Sequence, residues 1–331
     1  MRSTHAAYAK GWHGVPIRYT VYGKGEPTLV CCNGLGVSTF FWNDTVRHFA
    51  DAHRVITWEY RGHYASGPPR HVSAASLSMT ANAEDLVAVL DACKVERAVL
   101  LGHSMGCQVL LEFWRRHPDR VAGLVPICGP YGRPFDTFFL SPSLTPVLFE
   151  AIGALVTASP GLLEGLLRPL LRSPIPDAIA RLGLINAQLA SRESMAPYFA
   201  HLAKMDLQVF FLMALAMQRH DAGPWLKRID VPTLIVAGEN DQLTPLSLSY
   251  RMRDDIPGAE MLLLRKGSHV GIIEYPELIS LRIEKFLHQR VEPFLATRAR
   301  RSAARNSRRQ VPLDGKRQPA PAPAAIGAPV V

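Results

Sequence analysis

A serine hydroxyl is a poor nucleophile at neutral pH, so a serine used for chemistry needs a base to take its proton and a carboxylate to orient that base. Gly102-His103-Ser104-Met105-Gly106 offers the first member of such a set. The apolar run Ala98–Leu101 precedes it and a helical pattern begins at Met105, so Ser104 is expected on a sharp strand-to-helix turn of the G-x-S-x-G kind. That turn is strained, and glycines on either side let neighbouring backbone pass closely. The helix start just beyond favours developing negative charge.

The base and the acid are expected on loops after later strands. His269 lies between small residues in Arg265-Lys266-Gly267-Ser268-His269-Val270-Gly271, after the apolar run Met261–Leu264; among 12 histidines, position singles it out. Gly238-Glu239-Asn240-Asp241 follows Thr233–Ala237, at the carboxyl end of a strand where open α/β sheets form their sites. Asp241 is the expected acid, Glu239 competes with it, and Asp136 is a more distant alternative. For Asp241 or Glu239 the purely structural alternative is an Asx-type turn before Thr244-Pro245. The order Ser, Asp, His is that of a serine triad on an α/β sheet. A tetrahedral oxyanion needs two backbone N–H donors. Met105 is expected to supply one and Leu35 the other, with Gly36 next, from the loop Asn33-Gly34-Leu35-Gly36 after Thr28–Cys32. Phe40, Phe41 and Trp42 beyond that loop either line an acyl pocket or pack the core.

The elements that must position these residues follow from the apolar patterning. Short runs at Val15–Tyr22, Thr28–Cys32, Val55–Trp58, Ala98–Leu101, Val121–Cys128, Thr233–Ala237 and Met261–Leu264 predict strands. Three- and four-residue spacing predicts helices over Leu77–Ala92, Met105–His117, Pro245–Asp254 and Pro276–Gln289. Thr244 before Pro245 reads as a helix cap, and Pro118 as a helix stop. Strands alternating with helices predict an α/β fold with a mostly parallel central sheet covered on both faces. Val15–Tyr22 and the turn Gly23–Gly25 predict an antiparallel opening hairpin. Between residues 133 and 223 the rhythm breaks into leucine-rich, proline-punctuated helical segments. These predict an inserted helical cap dividing the core into 1–132 and 224–295, with a lipid-facing lid as a variant reading.

The last stretch differs from the rest. From Thr297 to Val331, seven arginines and Lys316 face a single Asp314, which puts +7 of the whole-chain +9 into this stretch and leaves about +2 for residues 1–296. Residues 296–331, Arg-rich and then Pro/Ala-rich, are expected to be disordered. They could form a weak electrostatic contact with an anionic polymer or lipid, and no nucleic acid is required for the core. Elsewhere 48% hydrophobic and 20% charged residues give an ordinary globular balance. Cysteines 31, 32, 93, 107 and 128 form no CxxC pair, and no uncharged run reaches the ~18 residues of a membrane span, so a cytoplasmic location without disulfides is expected.

With these residues in place the chain resembles the α/β-hydrolase fold family over about residues 10–292. Members similar to it carry His-Gly at the oxyanion loop and Asp-x-Arg-Gly-x-Gly-x-Ser after the next strand. Here the same places read Asn33-Gly34 and Glu59-Tyr60-Arg61-Gly62-His63-Tyr64-Ala65-Ser66. Asn33 is expected to hold the loop by hydrogen bonds, and an Asn-Gly start is also associated with some intracellular polyester depolymerases. Epoxide hydrolases and haloalkane dehalogenases of this fold use an aspartate where this chain has Ser104, which disfavours those chemistries. The resemblance implies acylation of Ser104, release of an alcohol, and hydrolysis by a water that His269 activates, with no metal or organic cofactor. The Leu-, Phe-, Met- and Ala-rich cap points to a small apolar acyl substrate. The same triad would also serve a lactonase, C–C hydrolase, polyester depolymerase, acyltransferase or perhydrolase. A non-catalytic ligand-binding protein on the same scaffold is the alternative from another class.

Overall fold

The computed structural model describes residues 5–137, 144–181 and 184–309. In chain order the elements are β1 (His5–Lys10), β2 (Pro16–Tyr22), β3 (Thr28–Cys32), α1 (Asn43–Phe49), β4 (Val55–Trp58), α2 (Met79–Ala92), β5 (Ala98–His103), α3 (Met105–Arg116) and β6 (Val121–Ile127). Five helices follow: α4 (Leu144–Ala158), α5 (Pro160–Leu171), α6 (Ile175–Arg181), α7 (Arg192–Leu202) and α8 (Leu207–Gln218). The chain then returns through β7 (Leu234–Gly238), α9 (Leu246–Asp255), β8 (Glu260–Leu264), α10 (Gly271–Glu274), α11 (Pro276–Phe286) and α12 (Glu292–Arg309).

The strands form one eight-stranded sheet in the order β1-β2-β4-β3-β5-β6-β7-β8. From β4 to β8 every pairing is parallel, while β1–β2 and β2–β4 are antiparallel. Helices cover both faces, as a parallel sheet buried on both sides requires. The central strands β3, β5 and β6 are buried along their whole length, which is why their sequences read as unbroken apolar runs rather than alternating ones. The expected opening hairpin has a different partner: β2 pairs with β1, across Gly11–Val15, and not with the strand beyond Gly23–Gly25. β1 escaped the sequence pattern because its Ala-rich segment is an edge strand that buries only Ala9.

The helices α4 to α8 lie between β6 and β7, in the interval where the strand–helix rhythm breaks. The α8 helix is apolar on nearly all sides and packs against α4 on one side, where Gly153 leaves room for Leu215. Gln108 on α3 fastens its end, donating to the carbonyls of Met217 and Gly132 at 2.9 Å each.

The described residues from Leu295 onward belong to a second unit of the chain. Disorder was expected from residue 296, but the chain is helical to Arg309, consistent with the high helix propensity of its Ala and Arg residues. The expected disorder of the Pro/Ala-rich remainder, 310–331, falls outside the described residues. Among the described residues no single helix is long and apolar enough to cross a membrane, and all five cysteines are free thiols.

Candidate active site

Ser104 follows directly on β5, the central strand, and its backbone is strained, with φ 54° and ψ −120°. The local sequence explains how such a turn is tolerated. A Cβ at Gly106 would collide with the Cys32 carbonyl, and one at Gly102 would come within 2.5 Å of the Gly106 carbonyl, so both positions require glycine. The amide of Ser104 is held by the Ile127 carbonyl at 3.1 Å.

Asp241 and His269 meet Ser104 from the loops after β7 and β8. Nε2 of His269 is 2.9 Å from Ser104 Oγ, and Nδ1 lies 3.0 and 3.2 Å from the two carboxylate oxygens of Asp241. A carboxylate can only accept, so Nδ1–H donates to Asp241 and Nε2 is left to accept from the serine hydroxyl. Asp241 also accepts from the amides of Leu243 (2.9 Å) and Thr244 (2.8 Å) and from the Thr244 hydroxyl (2.6 Å). Burial pushes its carboxyl up, but His269 and these donors outweigh burial and hold it below the usual carboxylate value. The Asx-type turn is therefore present and compatible with the contact to His269. Thr244 does not cap α9; its hydroxyl is committed to Asp241, and Pro245 occupies the cap position without a side-chain bond. The competing acids are engaged elsewhere: Glu239 pairs with Arg265 at 2.7 Å, and Asp136 accepts from Gln218 at 2.7 Å.

The loop after β3 comes up to Ser104 at Gly34, where a Cβ would sit 3.2 Å from Ser104 Cβ. Leu35 lines the cavity described below, and Met105 opens α3, whose first amides have no intrahelical partner. The Gly36 amide donates to Nε2 of His63 at 3.4 Å. Burial lowers His63 to about 4, so the ring is neutral and able to accept.

Two of the three departures from the family pattern, Asn33 and Glu59, meet in one network, while the third, Tyr64 in the place of a glycine, keeps a positive φ of 43°. Asn33 donates to the Trp58 carbonyl at 2.8 Å and to Glu59 at 3.4 Å, and accepts from the indole of Trp42 at 2.9 Å. Glu59 also accepts from the Ser38 hydroxyl and the Thr39 amide, so one buried carboxyl holds both ends of loop 33–39. Burial raises this carboxyl to about 7, against the lowering effect of its donors. Trp42 is thus a buried support, whereas Phe41 reaches the cavity wall.

Four further residues shape the site without having been singled out in the sequence. His103 donates from Nε2 to the His269 carbonyl at 2.9 Å, and burial, with His269 beside it, lowers its pKa to about 3. Glu274 accepts from the Ser268 amide (2.7 Å), the Ser268 hydroxyl (2.5 Å) and the Asn186 amide (2.9 Å). Asn186 reaches back to the Lys266 carbonyl at 3.0 Å. The loop carrying His269 is therefore tied to the helical insertion. Tyr198 of α7 lines the cavity.

Above Ser104 lies a cavity of about 460 Å3. Sheet loops supply its floor with Ser104 and His269, and the insertion supplies aliphatic and aromatic walls, including Phe210, Ala214 and Met217 along one stripe of α8. Among the described residues its wall contains no Lys, Arg, Asp or Glu, and no cluster of three or more His, Cys, Asp or Glu is arranged to hold a metal.

In sequence comparison, the model of the family described as the alpha/beta hydrolase fold matches residues 27–276. The chain belongs to the α/β hydrolase fold family. This α/β hydrolase is 28% identical, over 82% of its own length and 91% of the relative's, to the 2-hydroxy-6-oxononadienedioate/2-hydroxy-6-oxononatrienedioate hydrolase of Paraburkholderia xenovorans (strain LB400). Among solved structures it is similar to Est816, described as an N-acyl homoserine lactone degrading enzyme, with 26% identity, TM-score 0.65 and coverage of 84% and 99% of the two chains. It also shares its fold with a thermophilic esterase from Thermogutta terrifontis, at TM-score 0.69 and 21% identity, with coverage of 86% and 99%.

Proposed function

We propose that this α/β hydrolase is a serine hydrolase that cleaves a carboxylic ester or related acyl bond of a small, uncharged, apolar substrate. One observation carries the reading: the 2.9 Å contact of Ser104 Oγ with His269 Nε2 lies at the floor of a cavity with no charged side chain in its described wall. In the proposed reaction His269 takes the proton as Ser104 Oγ attacks the acyl carbon, and Asp241 stabilises the imidazolium. The amides of Leu35 and Met105 receive the oxyanion. Collapse expels the alcohol, protonated by His269; a water deprotonated at the same nitrogen then attacks the acyl carbon, and His269 returns that proton to Ser104 Oγ as the acid leaves. Every step uses groups of this chain and water.

The uncharged wall also ranks the alternatives. The Paraburkholderia relative is named for a dioate, whose two carboxylates would enter this cavity without a counter-ion, at several kcal/mol for each buried ion. An acylated lactone carries no such charge, and lactone opening is the second reading that the apolar walls favour. Small acyl compounds are the proposed partners of the site, and a cytoplasmic location belongs to the same proposal, with cell fractionation as its test. The Arg-rich segment is proposed as a weak contact for anionic polymer or lipid. Binding that weakens steeply with salt and disappears on deleting residues 297–331 is its expected signature.

The deciding experiment treats wild type and Ser104→Ala with a fluorophosphonate probe and assays both on aryl esters. Labelling and turnover lost together in the variant support the proposal. A folded wild type that takes no label removes it in favour of a non-catalytic binding protein.

A further inference from the structure

The exposed large aliphatic residues of this molecule are concentrated on the helical insertion. On α4, Leu144 (57% exposed), Val147 (64%), Leu148 (43%) and Leu155 (42%) follow helical spacing along the outer face. The opposite face of α4, with Thr145, Gly153 and Val156, is already buried, and Gly153 meets Leu215 of α8. A helix apolar on all sides belongs in a protein core or in a nonpolar phase, yet half of α4 has neither. On α5 and α6 the pattern continues with Leu166, Leu170, Ile175 and Ile179, all exposed, while the charged residues of these helices pair to one side as Glu164–Arg168 and Asp177–Arg181.

Leu170, Ile175 and Ile179 identify what this face is for, because they also line the cavity over Ser104. The outer apolar face is therefore continuous with the wall of the substrate cavity. A protein partner seated there would cover the mouth, whereas a fluid apolar phase could cover the face and send chains inward. The face is also neutral: the one charge on α4, Glu150, is paired with Arg219 at 3.1 Å.

We propose that the outer face of α4, α5 and α6 docks on the surface of a condensed, uncharged ester phase, from which acyl chains pass directly into the cavity. This rests on the acyl-ester reading of the site, and it makes the substrate class one of poorly soluble, aggregated esters. Removing apolar area from such a face weakens docking in proportion to the area lost.

The test separates docking from catalysis. Ser104→Ala protein is mixed with a tributyrin emulsion, and the fraction retained on the droplets is compared with that of the same protein carrying Leu148→Gln, Leu155→Gln and Leu166→Gln. These three side chains are exposed and lie outside the cavity wall, so the fold should tolerate them. Retention should fall by at least about tenfold. With Ser104 intact, the triple variant should hydrolyse dissolved 4-nitrophenyl acetate within about twofold of wild type, yet lose the rise in rate expected of wild type when tributyrin exceeds its solubility. No retention of the parent protein, or equal retention of both, overturns the proposal. A parent dimer in sedimentation that the three changes dissociate, or binding to phosphatidylcholine vesicles but not to droplets, overturns it in favour of another occupant. Droplet retention without fluorophosphonate labelling would leave the docking face standing and remove the serine-hydrolase reading instead.

Discussion

On the sheet side of the cavity the acid, the base and the loop ends are tied down by hydrogen bonds; on the insertion side the walls are held by packing. Asp241 accepts from His269 and from three donors of its own loop, and Asn33 and Glu59 fix both ends of loop 33–39. The insertion contributes stripes such as Phe210, Ala214 and Met217, whose positions rest on α8 fitting against its neighbours. A hydrogen-bonded group loses its geometry when one partner is removed, whereas an apolar wall changes shape gradually. Damage to the sheet side should therefore stop the chemistry, and damage to the insertion should redirect it. The contacts that join the two sides should fall in between.

The largest effect after removal of Ser104 is expected at Asp241. Asp241→Asn presents an amide to Nδ1 of His269, which favours the wrong tautomer and leaves Nε2 unable to accept from the serine. Turnover of an aryl ester should drop by about 10^4-fold with little change in KM. A loss below about tenfold would show that the carboxylate does not set the tautomer, and the contrast between the two sides would lose its main support.

Glu59 makes the same contrast visible in stability. Its carboxyl is raised from 4.5 to about 7 by burial, so the folded protein holds this proton more tightly than the unfolded chain does. The resulting stability is fully present below pH ~4.5 and is lost as pH rises through 7, by about 3 kcal/mol in total. His63 and His103, lowered to about 4 and about 3, act in the opposite direction as pH falls below 6.5. The informative quantity is therefore wild type minus Glu59→Gln, followed by urea unfolding from pH 5 to 8. That difference should shrink as pH rises; a difference independent of pH would mean that Glu59 is ionised throughout.

These examples also explain what could be read from the sequence. The meeting of Ser104, Asp241 and His269 was legible because strained turns and strand-end loops impose local rules: glycines beside the elbow, short acidic and small-residue loops after apolar runs. Glu59 and Asn33 were legible as departures, but their meeting was not, because it depends on two strands, β3 and β4, lying side by side. Thr244 was misassigned for a different reason. Its place before Pro245 favours a cap, but the Asx-type turn at Asp241, three residues earlier in the same loop, takes its hydroxyl instead. Glu274 carried no local signal at all, since a glutamate before a helix-starting proline is ordinarily a surface residue. The insertion was recognisable by loss of rhythm, while the orientation of its apolar faces required coordinates.

Glu274 belongs to the intermediate class. Its carboxylate joins Ser268, beside His269, to Asn186 of the insertion. Glu274→Gln turns one acceptor into a donor facing the Ser268 donors, so loop 266–271 should loosen and kcat should fall by about tenfold, with KM within about twofold. Asn186→Ala, which frees the Lys266 carbonyl and the Gln188 amide but keeps the backbone donation to Glu274, should cost less. Hydrogen exchange at the amides of Ser268 and Val270 should rise in both. Unchanged exchange with reduced kcat would show that the two sides communicate through some other contact.

The smallest steps are expected from the insertion walls, and there the pattern matters more than the size. Along a series of straight-chain aryl esters, each added methylene that enters the cavity should raise kcat/KM by about fourfold, corresponding to ~0.8 kcal/mol of transfer. The rise should stop when the chain fills the cavity of about 460 Å3. Replacing the terminal methyl with a carboxylate should cancel the gain, because the described wall has no cation to receive it. Met217→Ala should move the break in the series towards longer chains and leave the slope before the break unchanged, since it deepens the wall without touching Ser104 or His269. A change in slope across the whole series would mean that the insertion also positions the reacting carbonyl, and the division of labour between the two sides would have to be given up.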